Sequence, residues 1–533
     1  MKNILIGGAW PYANNDMHLG HIAALLPGDI IARYHRQKGD NVVYVSGSDA
    51  HGTPITERAK NEGVNPAEIA NHYHDEFVHM FELLDFSYDC YGITSSDFHK
   101  EKVKELLESI NNNGYFYEKD EKADFCNTCD EYLSDREIIG ICPYCKGEAK
   151  GDQCEVCLRT LESNEVLDKK CKTCGNSPTL KDNRHMYFKL SAFQNYIQKL
   201  LDENKDKWRK NAINETSKYL ENGLIDRAIT RQLTWGIDVP FPGYEDKKIY
   251  VWIEAVMGYL TMLQKVCLDK KMNYEDFISG SKVINYYVHG KDNIPFHTII
   301  WPALLKAINS NYIISPRIIS SEYMNVNDTK MSKSTGNSIT AKELVEKFHK
   351  DTIRYYFISN NPENRDANFS LDDMLHSHNK FLVGVLGNFI NRNFSYINKK
   401  FDGIIAEGII DSKIKKYTKE LYNKVFESIE KGQLKSAINA IMDYCVMGNK
   451  YYDEGEPWLK VKEDINEFNN ISYTCTYMIA NIANLLNPFI PDSSKKILNM
   501  INIFEFTSQE IKLKGEIKLN NVELLFERME ENV

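Results

Sequence analysis

Two short polar motifs, one near the start and one past the middle, carry the residues best suited to chemistry in this chain. His18-Leu19-Gly20-His21 follows an apolar run, Ile4 to Gly8, and opens a helix-like segment, Ile22 to Tyr34. Histidines three apart at a helix start share one face, and the amides and dipole of that helix end favour anionic oxygens. Gly20 has no side chain, so a base or a phosphate can come close to the backbone there. The second motif, Lys330-Met331-Ser332-Lys333-Ser334, puts two lysines and two hydroxyls on a Gly/Asn-flanked loop. Such a loop suits a polyphosphate whose charge shifts during reaction. Either motif alone arises by chance; together, in this order, they read as ATP chemistry.

Eight of the twelve cysteines form four C-x-x-C pairs: Cys126/Cys129, Cys142/Cys145, Cys154/Cys157 and Cys171/Cys174. Each such turn aims two thiolates at one point, and two turns complete a tetrahedral zinc shell with no open position. The expectation is two structural zinc ions. Spacing leaves sequential, alternating and nested pairings open. Disulfides would need an oxidising compartment, and redox C-x-x-C pairs usually come singly. Cys90, Cys267, Cys445 and Cys475 stand alone and read as core packing.

Composition bounds the rest. A length of 533 residues predicts about three or four domains, and 42% hydrophobic with 26% charged residues is ordinary for a globular protein. The net charge of −10 argues against wholesale coating of nucleic acid while permitting a local basic face. No 18-residue apolar run stands out, so no membrane span is expected. The start, Met1-Lys2-Asn3, runs straight into a strand-like segment without the layout of a secretory signal. A cytoplasmic location is expected.

The elements that must position these residues follow from periodicity. Strand-like runs (Ile4–Ile6, Asn41–Val45) alternate with helical stretches (Pro66 to Leu84, Lys100 to Asn112), which argues for βαβ units on a parallel sheet. The pattern breaks at the polar, turn-rich cysteine segment and resumes with strand candidates at 249–252, 283–289 and 313–319. From Asp372 onward apolar residues recur at helical spacing: Leu375, Leu382, Val385, Phe389, Ile390 and Phe394, then Leu421 to Cys445, then Met478 to Phe489. The expected organisation is an α/β core in two halves (1–117 and 226–320) split by the cysteine insertion (118–225). A lysine-motif linker (321–372), an all-α bundle (373–510) and a tail (511–533) with a short hairpin at Ile511 to Leu519 complete it.

At this point the chain resembles the class I aminoacyl-tRNA synthetases, and specifically their methionyl family, over nearly its full length. The resemblance rests on collinear segments: Ala9-Trp10-Pro11-Tyr12-Ala13-Asn14, the HLGH motif, and Gly47-Ser48-Asp49-Ala50-His51-Gly52-Thr53-Pro54. It continues through Tyr250-Val251-Trp252-Ile253-Glu254-Ala255, His289 to His297, and KMSKS followed by Thr335-Gly336-Asn337. It implies a Rossmann-like parallel-sheet catalytic domain with a zinc-knuckle insertion, followed by an all-α anticodon-binding bundle. The implied activity is methionine plus ATP to methionyl-adenylate, then transfer to the 3′ end of tRNA(Met), initiator and elongator. The implied cofactors are Zn2+ at two sites and Mg2+ with ATP. The family also implies nested zinc pairing, with the inner cysteines sharing one ion and the outer cysteines the other.

By the same resemblance, His18, His21, Lys330 and Lys333 are catalytic, and Gly20, Ser332 and Ser334 complete the ATP-binding set. The L-methionine pocket comprises Ala9, Trp10, Tyr12, Trp252, Ala255, Tyr259 and His297, with Asp49 pairing the α-ammonium. Aromatic faces and edges suit a thioether sulfur. Val256 stands where some members have proline, and Trp10 where some have leucine. Asn388 and Arg392, four apart on one helix face, match the family's anticodon-reading pair, and Trp458 its stacking tryptophan. A monomer is expected, because the chain ends soon after the bundle. Two other readings compete: a small nucleotidyltransferase sharing HxGH, which is much shorter, and a zinc-ribbon RNA-binding protein, which leaves HLGH and KMSKS without purpose.

Overall fold

Ile4, Leu5 and Ile6 are all buried, as a strand covered on both faces requires. In the computed structural model, which describes residues 1–133, 137–151, 154–157, 161, 165–280, 282–312, 316–326 and 340–530, this segment is the central strand of a five-stranded sheet. The strands are β1 (Asn3–Gly8), β2 (Asn41–Ser48), β3 (Cys90–Ile93), β4 (Val283–Gly290) and β5 (Pro316–Ser321). Their order is β3-β2-β1-β4-β5 and every neighbouring pair is parallel, with Asn3 opposite both Asn41 and Val283. That order reverses direction between β1 and β4, and in such sheets ligands bind in the crevice beyond the strand ends at the reversal.

Helix α1 (Leu19–Gln37) follows β1 and buries Leu19, Ile22, Leu26, Ile30 and Ile31. It contains Pro27, which supplies no N–H to the carbonyl four residues earlier. That carbonyl, of Ala23, instead accepts from the side-chain amide of Asn361 at 3.0 Å. Helix α2 (Val251–Lys270) is apolar on nearly every side. Its mean hydropathy of 1.2 over an 18-residue window passes the length and composition test for a membrane span, yet 78% of that window is buried inside the fold. The sequence expectation of no such run is corrected to one long apolar helix, packed as core.

The cysteine insertion stands on two long strands, Phe116–Cys126 and Thr179–Phe188, which pair antiparallel from Phe116↔Phe188 to Phe125↔Thr179. C-terminal to the sheet, α3 (Asn388–Lys400), α4 (Ser412–Glu430), α5 (Leu434–Gly455) and α6 (Ile465–Leu486) form a helical array. Leu421, Val425, Ile429, Ile438, Ile441 and Met478 are buried in it, as their spacing predicts. One continuous apolar cluster runs from Ile4 in the sheet through these helices to Phe526.

The hairpin expected within 511–519 does not form. Ile517–Lys518 pairs instead with Ile404–Ile405, before α4. Alternating residues announce a strand, but not which partner it takes.

A buried polar joint ties sheet to helices. Arg354, on the helix Lys350–Ser359, is fully buried. Its guanidinium donates to Asp29 Oδ2 of α1 at 2.6 Å and to the carbonyls of Phe489, Pro488 and Leu84 at 2.8, 3.0 and 3.1 Å.

Candidate active site

The crevice between the ends of β1 and β4 opens into a cavity of ≈ 470 Å³. His18, the residue before α1, is extended at φ −115°, and its backbone N–H donates to His21 Nδ1 at 3.3 Å. The two rings stack with centroids 3.6 Å apart. A Cβ on Gly20 would stand 3.0 Å from the His18 ring, so glycine lets that ring lie against the backbone. Burial pulls the His18 imidazole down to about 4, and burial followed by the neighbouring His18 holds His21 well below the usual histidine range. Both are neutral at pH 7, and their N–H groups join the helix amides as donors toward an anion.

Tyr12, Asp49, Trp252, Tyr259 and His297 line the same cavity, with Ala9, Trp10 and Ala255 as walls. Trp10 is wedged between strand and helix: a Cβ on Gly47 or on Gly258 would fall 2.2 or 2.3 Å from its ring. Gly7 makes room for Tyr259 in the same way, at 2.7 Å. The Tyr259 hydroxyl lies 2.8 Å from His297 Nε2, and His297 Nδ1 lies 2.8 Å from the Asn293 carbonyl. Burial lowers the His297 imidazole to about 4. The neutral ring therefore donates from Nδ1 and accepts from the tyrosine at Nε2. His297 itself sits on a single π-helical turn, Phe296–Ile300, a distortion frequent at functional sites. The indole N–H of Trp252 donates to the Tyr12 hydroxyl, closing the aromatic wall.

Asp49 is 2% exposed. Burial, and then the carboxylate of Glu254, push its carboxyl well above the usual range, and among the described residues no cationic side chain pairs with it. A ligand cation would supply the missing charge.

Phe296, Asn293, Asp292, Glu322 and Tyr323 line the cavity too and were not singled out in the sequence. Three of them fall inside the segment His289 to His297, which carried the family resemblance but of which only His297 was assigned to the site. Lys330, Ser332, Lys333 and Ser334 lie outside the described residues. Met324 and Asn325, just before them, line the cavity.

The cysteines gather as two groups, Cys126/Cys129/Cys171/Cys174 and Cys142/Cys145/Cys154/Cys157, each with sulfurs within 4.8 Å of one another. This is the nested arrangement. Sulfur separations of 3.4 Å (Cys126–Cys174), 3.9 Å (Cys129–Cys171), 4.0 Å (Cys142–Cys157) and 3.4 Å (Cys145–Cys154) fit a tetrahedron with Zn–S near 2.3 Å, whose edges are about 3.8 Å. The Cys157 amide donates to Cys154 Sγ and lowers that thiol to about 6, toward the thiolate a metal needs. Each group could hold a zinc ion.

In the helical array, Asn388 Nδ2 donates to Asn449 Oδ1 at 2.9 Å. One turn on, Arg392 pairs with Asp453 and lies over the Tyr452 ring at 4.8 Å. Tyr452 in turn packs near Trp458, with centroids 6.1 Å apart, and that tryptophan is 39% exposed. The three predicted residues thus lie along one partly exposed surface.

Sheet order, histidine-bearing helix start and helical appendage together have the architecture of a class I synthetase. Residues 4–394 match the family model for tRNA synthetases class I (M), and residues 406–522 match that for the anticodon binding domain of methionyl tRNA ligase. The methionine–tRNA ligase 1 of Alkaliphilus oremlandii is 46% identical over 531 residues, covering 100% of this chain and 98% of its own. The methionine–tRNA ligase of Bacillus cereus strain B4264 is 45% identical, covering 99% and 97%. The solved structure of Mycobacterium tuberculosis methionyl-tRNA synthetase in complex with methionyl-adenylate aligns at a TM-score of 0.81 over 99% of this chain and 100% of that one. At 24% identity that likeness speaks for the fold. The chain belongs to the methionyl family of the class I tRNA synthetases.

Proposed function

We propose that this enzyme activates L-methionine with ATP and passes the methionyl group to the 3′-terminal adenosine of tRNA(Met). One observation carries the reading: a neutral histidine pair at a helix start and an uncompensated buried carboxylate, Asp49, share a single cavity with an aromatic wall. The helix start suits the triphosphate. Asp49 suits the substrate ammonium, and Tyr12, Trp252, Tyr259 and Trp10 suit a thioether.

In the first step a methionine carboxylate oxygen attacks the α-phosphorus, and the bond to the β-phosphate breaks, releasing pyrophosphate. No protein nucleophile is needed; positioning and charge stabilisation are. His18 and His21 hold phosphate oxygens while Lys330 and Lys333 receive the departing pyrophosphate, with Mg2+ arriving on ATP. In the second step a hydroxyl of the terminal adenosine attacks the acyl carbonyl and AMP leaves. The two cysteine groups hold structural zinc, which cross-links the insertion.

ATP–pyrophosphate exchange with all twenty amino acids tests the reading; exchange with methionine alone is expected. A pocket working by apolar fit separates near-isosteres by only about 1–3 kcal/mol, so homocysteine is the expected weak competitor. Lys333→Ala is expected to slow exchange about a hundredfold, equivalent to about 3 kcal/mol of transition-state stabilisation, read as a fall in kcat.

Asn388, Arg392 and Trp458 are proposed to read the anticodon, whose unpaired bases are recognised by edge hydrogen bonds and stacking. Stacking contributes about 1–3 kcal/mol per base. Trp458→Ala is therefore expected to raise the tRNA KM in charging by about tenfold or more, while tRNA-independent exchange persists. Equal losses in both assays would count against this placement.

A further inference from the structure

Behind the cavity wall, His51 Nδ1 lies 2.7 Å from Glu254 Oε1, with side chains 1% and 0% exposed. The other two polar atoms of this pair, His51 Nε2 and Glu254 Oε2, are buried with no hydrogen-bond partner among the described residues. For stability alone, a well-packed apolar pair of similar volume does as well or better than a buried ionic one. The pair's surroundings indicate what else it does.

Three cavity walls meet at it. The His51 backbone N–H donates to Asp49 Oδ1 at 3.3 Å. The Asp49 main chain is tied to the loop after β1, through Asp49 N–H to the Pro11 carbonyl and Ala13 N–H to the Asp49 carbonyl, both at 2.8 Å. Glu254 lies in the first turn of α2, the same turn that carries Trp252 and Ala255. Anchoring His51 to Glu254 therefore fixes the backbone that orients the Asp49 carboxylate and sets that loop against the helix start. Charge adds to geometry. Burial raises the Glu254 carboxyl and the contact with His51 opposes that rise, while Glu254 itself bears on both Asp49 and Tyr12.

We propose that the buried His51–Glu254 pair is a positioning element for Asp49, and that Glu254 adds a second, non-contacting negative charge that tightens the grip on the substrate's ammonium group. This rests on the reading of Asp49 as the ammonium partner. The cation held directly by Asp49 also relieves the repulsion between two buried carboxylates, so the pair favours substrates that bring a positive charge.

The test is Glu254→Gln in the full chain. The amide oxygen can still accept from His51 Nδ1, so the fold is retained while the charge is lost. Methionine KM in pyrophosphate exchange is expected to rise about tenfold, with kcat and the ATP KM changed less than about twofold. The inhibition constant of 4-(methylthio)butanoate, which has the side chain and carboxylate but no amino group, is expected to stay within about twofold, and Glu254→Asp is expected to restore part of the methionine affinity. If methionine and the desamino compound weaken together, the pair serves only pocket shape and the proposal fails. It fails equally if methionine KM does not move, or if kcat alone falls. A wild-type enzyme that shows no methionine-dependent exchange would overturn the functional reading instead, a result distinct from all of these.

Discussion

Replacing Cys154 with serine is expected to lower bound zinc from about two ions per chain to about one and to strip the metal from the inner group only. The reason is geometric. Cys154 accepts from the Cys157 and Val156 amides and sits 3.4 Å from Cys145 Sγ, so these amides favour its thiolate. The inner group is small: among the described residues, Ala149, Leu161 and Val166 make up its apolar cluster beyond the cysteines. So little apolar surface cannot hold a fold without a cross-link. Metal analysis and limited proteolysis check this. Cleavage is expected to appear between 138 and 170 in the variant while the antiparallel stalk, Phe116–Cys126 with Thr179–Phe188, stays protected. The outer group should keep its ion, and exchange activity should survive better than tRNA charging. Loss of both ions from this single substitution would refute independent nested sites.

Arg354→Leu is expected to destabilise the protein by about 3–5 kcal/mol, the usual range for breaking a buried pair from one side. Asp29 accepts from Arg354 and Arg33, and also from the Ser87 amide and hydroxyl at 2.7 and 2.6 Å. Without Arg354, the Phe489, Pro488 and Leu84 carbonyls lose their donor in a site closed to bulk water. Chemical denaturation of wild type and variant measures the difference.

The same joint predicts an acid limit. Burial raises the Asp29 carboxyl, but Arg354 and then Arg33 overcome it and bring it from 3.8 to about 2. A carboxyl depressed in the folded state stabilises fully above its unfolded value. This contribution is thus whole above about pH 4 and lost progressively toward pH 2. In the Arg354→Leu variant that part of the acid dependence should shrink.

Much of the site was legible in the chain. HLGH announced a helix start because histidines at that spacing share a face only in a helix, and the structure begins α1 at Leu19. The alternation of strand and helix predicted a parallel sheet, but a short apolar run does not separate strand from helix: of the strand candidate 249–252, Val251 and Trp252 belong to α2. The C-x-x-C turns predicted tetrahedral thiolate sites for the same local reason. Other features were out of reach. Spacing alone allowed three cysteine pairings; the nested one, expected only through the family resemblance, has its physical origin in a long-range fact. Phe125 lies opposite Thr179, so the antiparallel stalk brings its two ends, and with them Cys126 and Cys171, to one place. The His51–Glu254 pair joins residues 203 positions apart, and the Asn361 amide that serves the carbonyl freed by Pro27 is 338 positions away. Ile517 formed a strand as expected but found its partner near Ile405.

What the amino-acid order determined by itself was the local material: a helix start with two histidines, thiolate turns, and apolar stripes at fixed periods. Each depends on interactions within a few residues. What only the tertiary structure decided was which of these pieces face one another. The charge balance around Asp49, the cysteine grouping and the joint at Arg354 all depend on burial and on neighbours brought from distant segments. Desolvation is a property of the packed molecule, and no local window of sequence contains it.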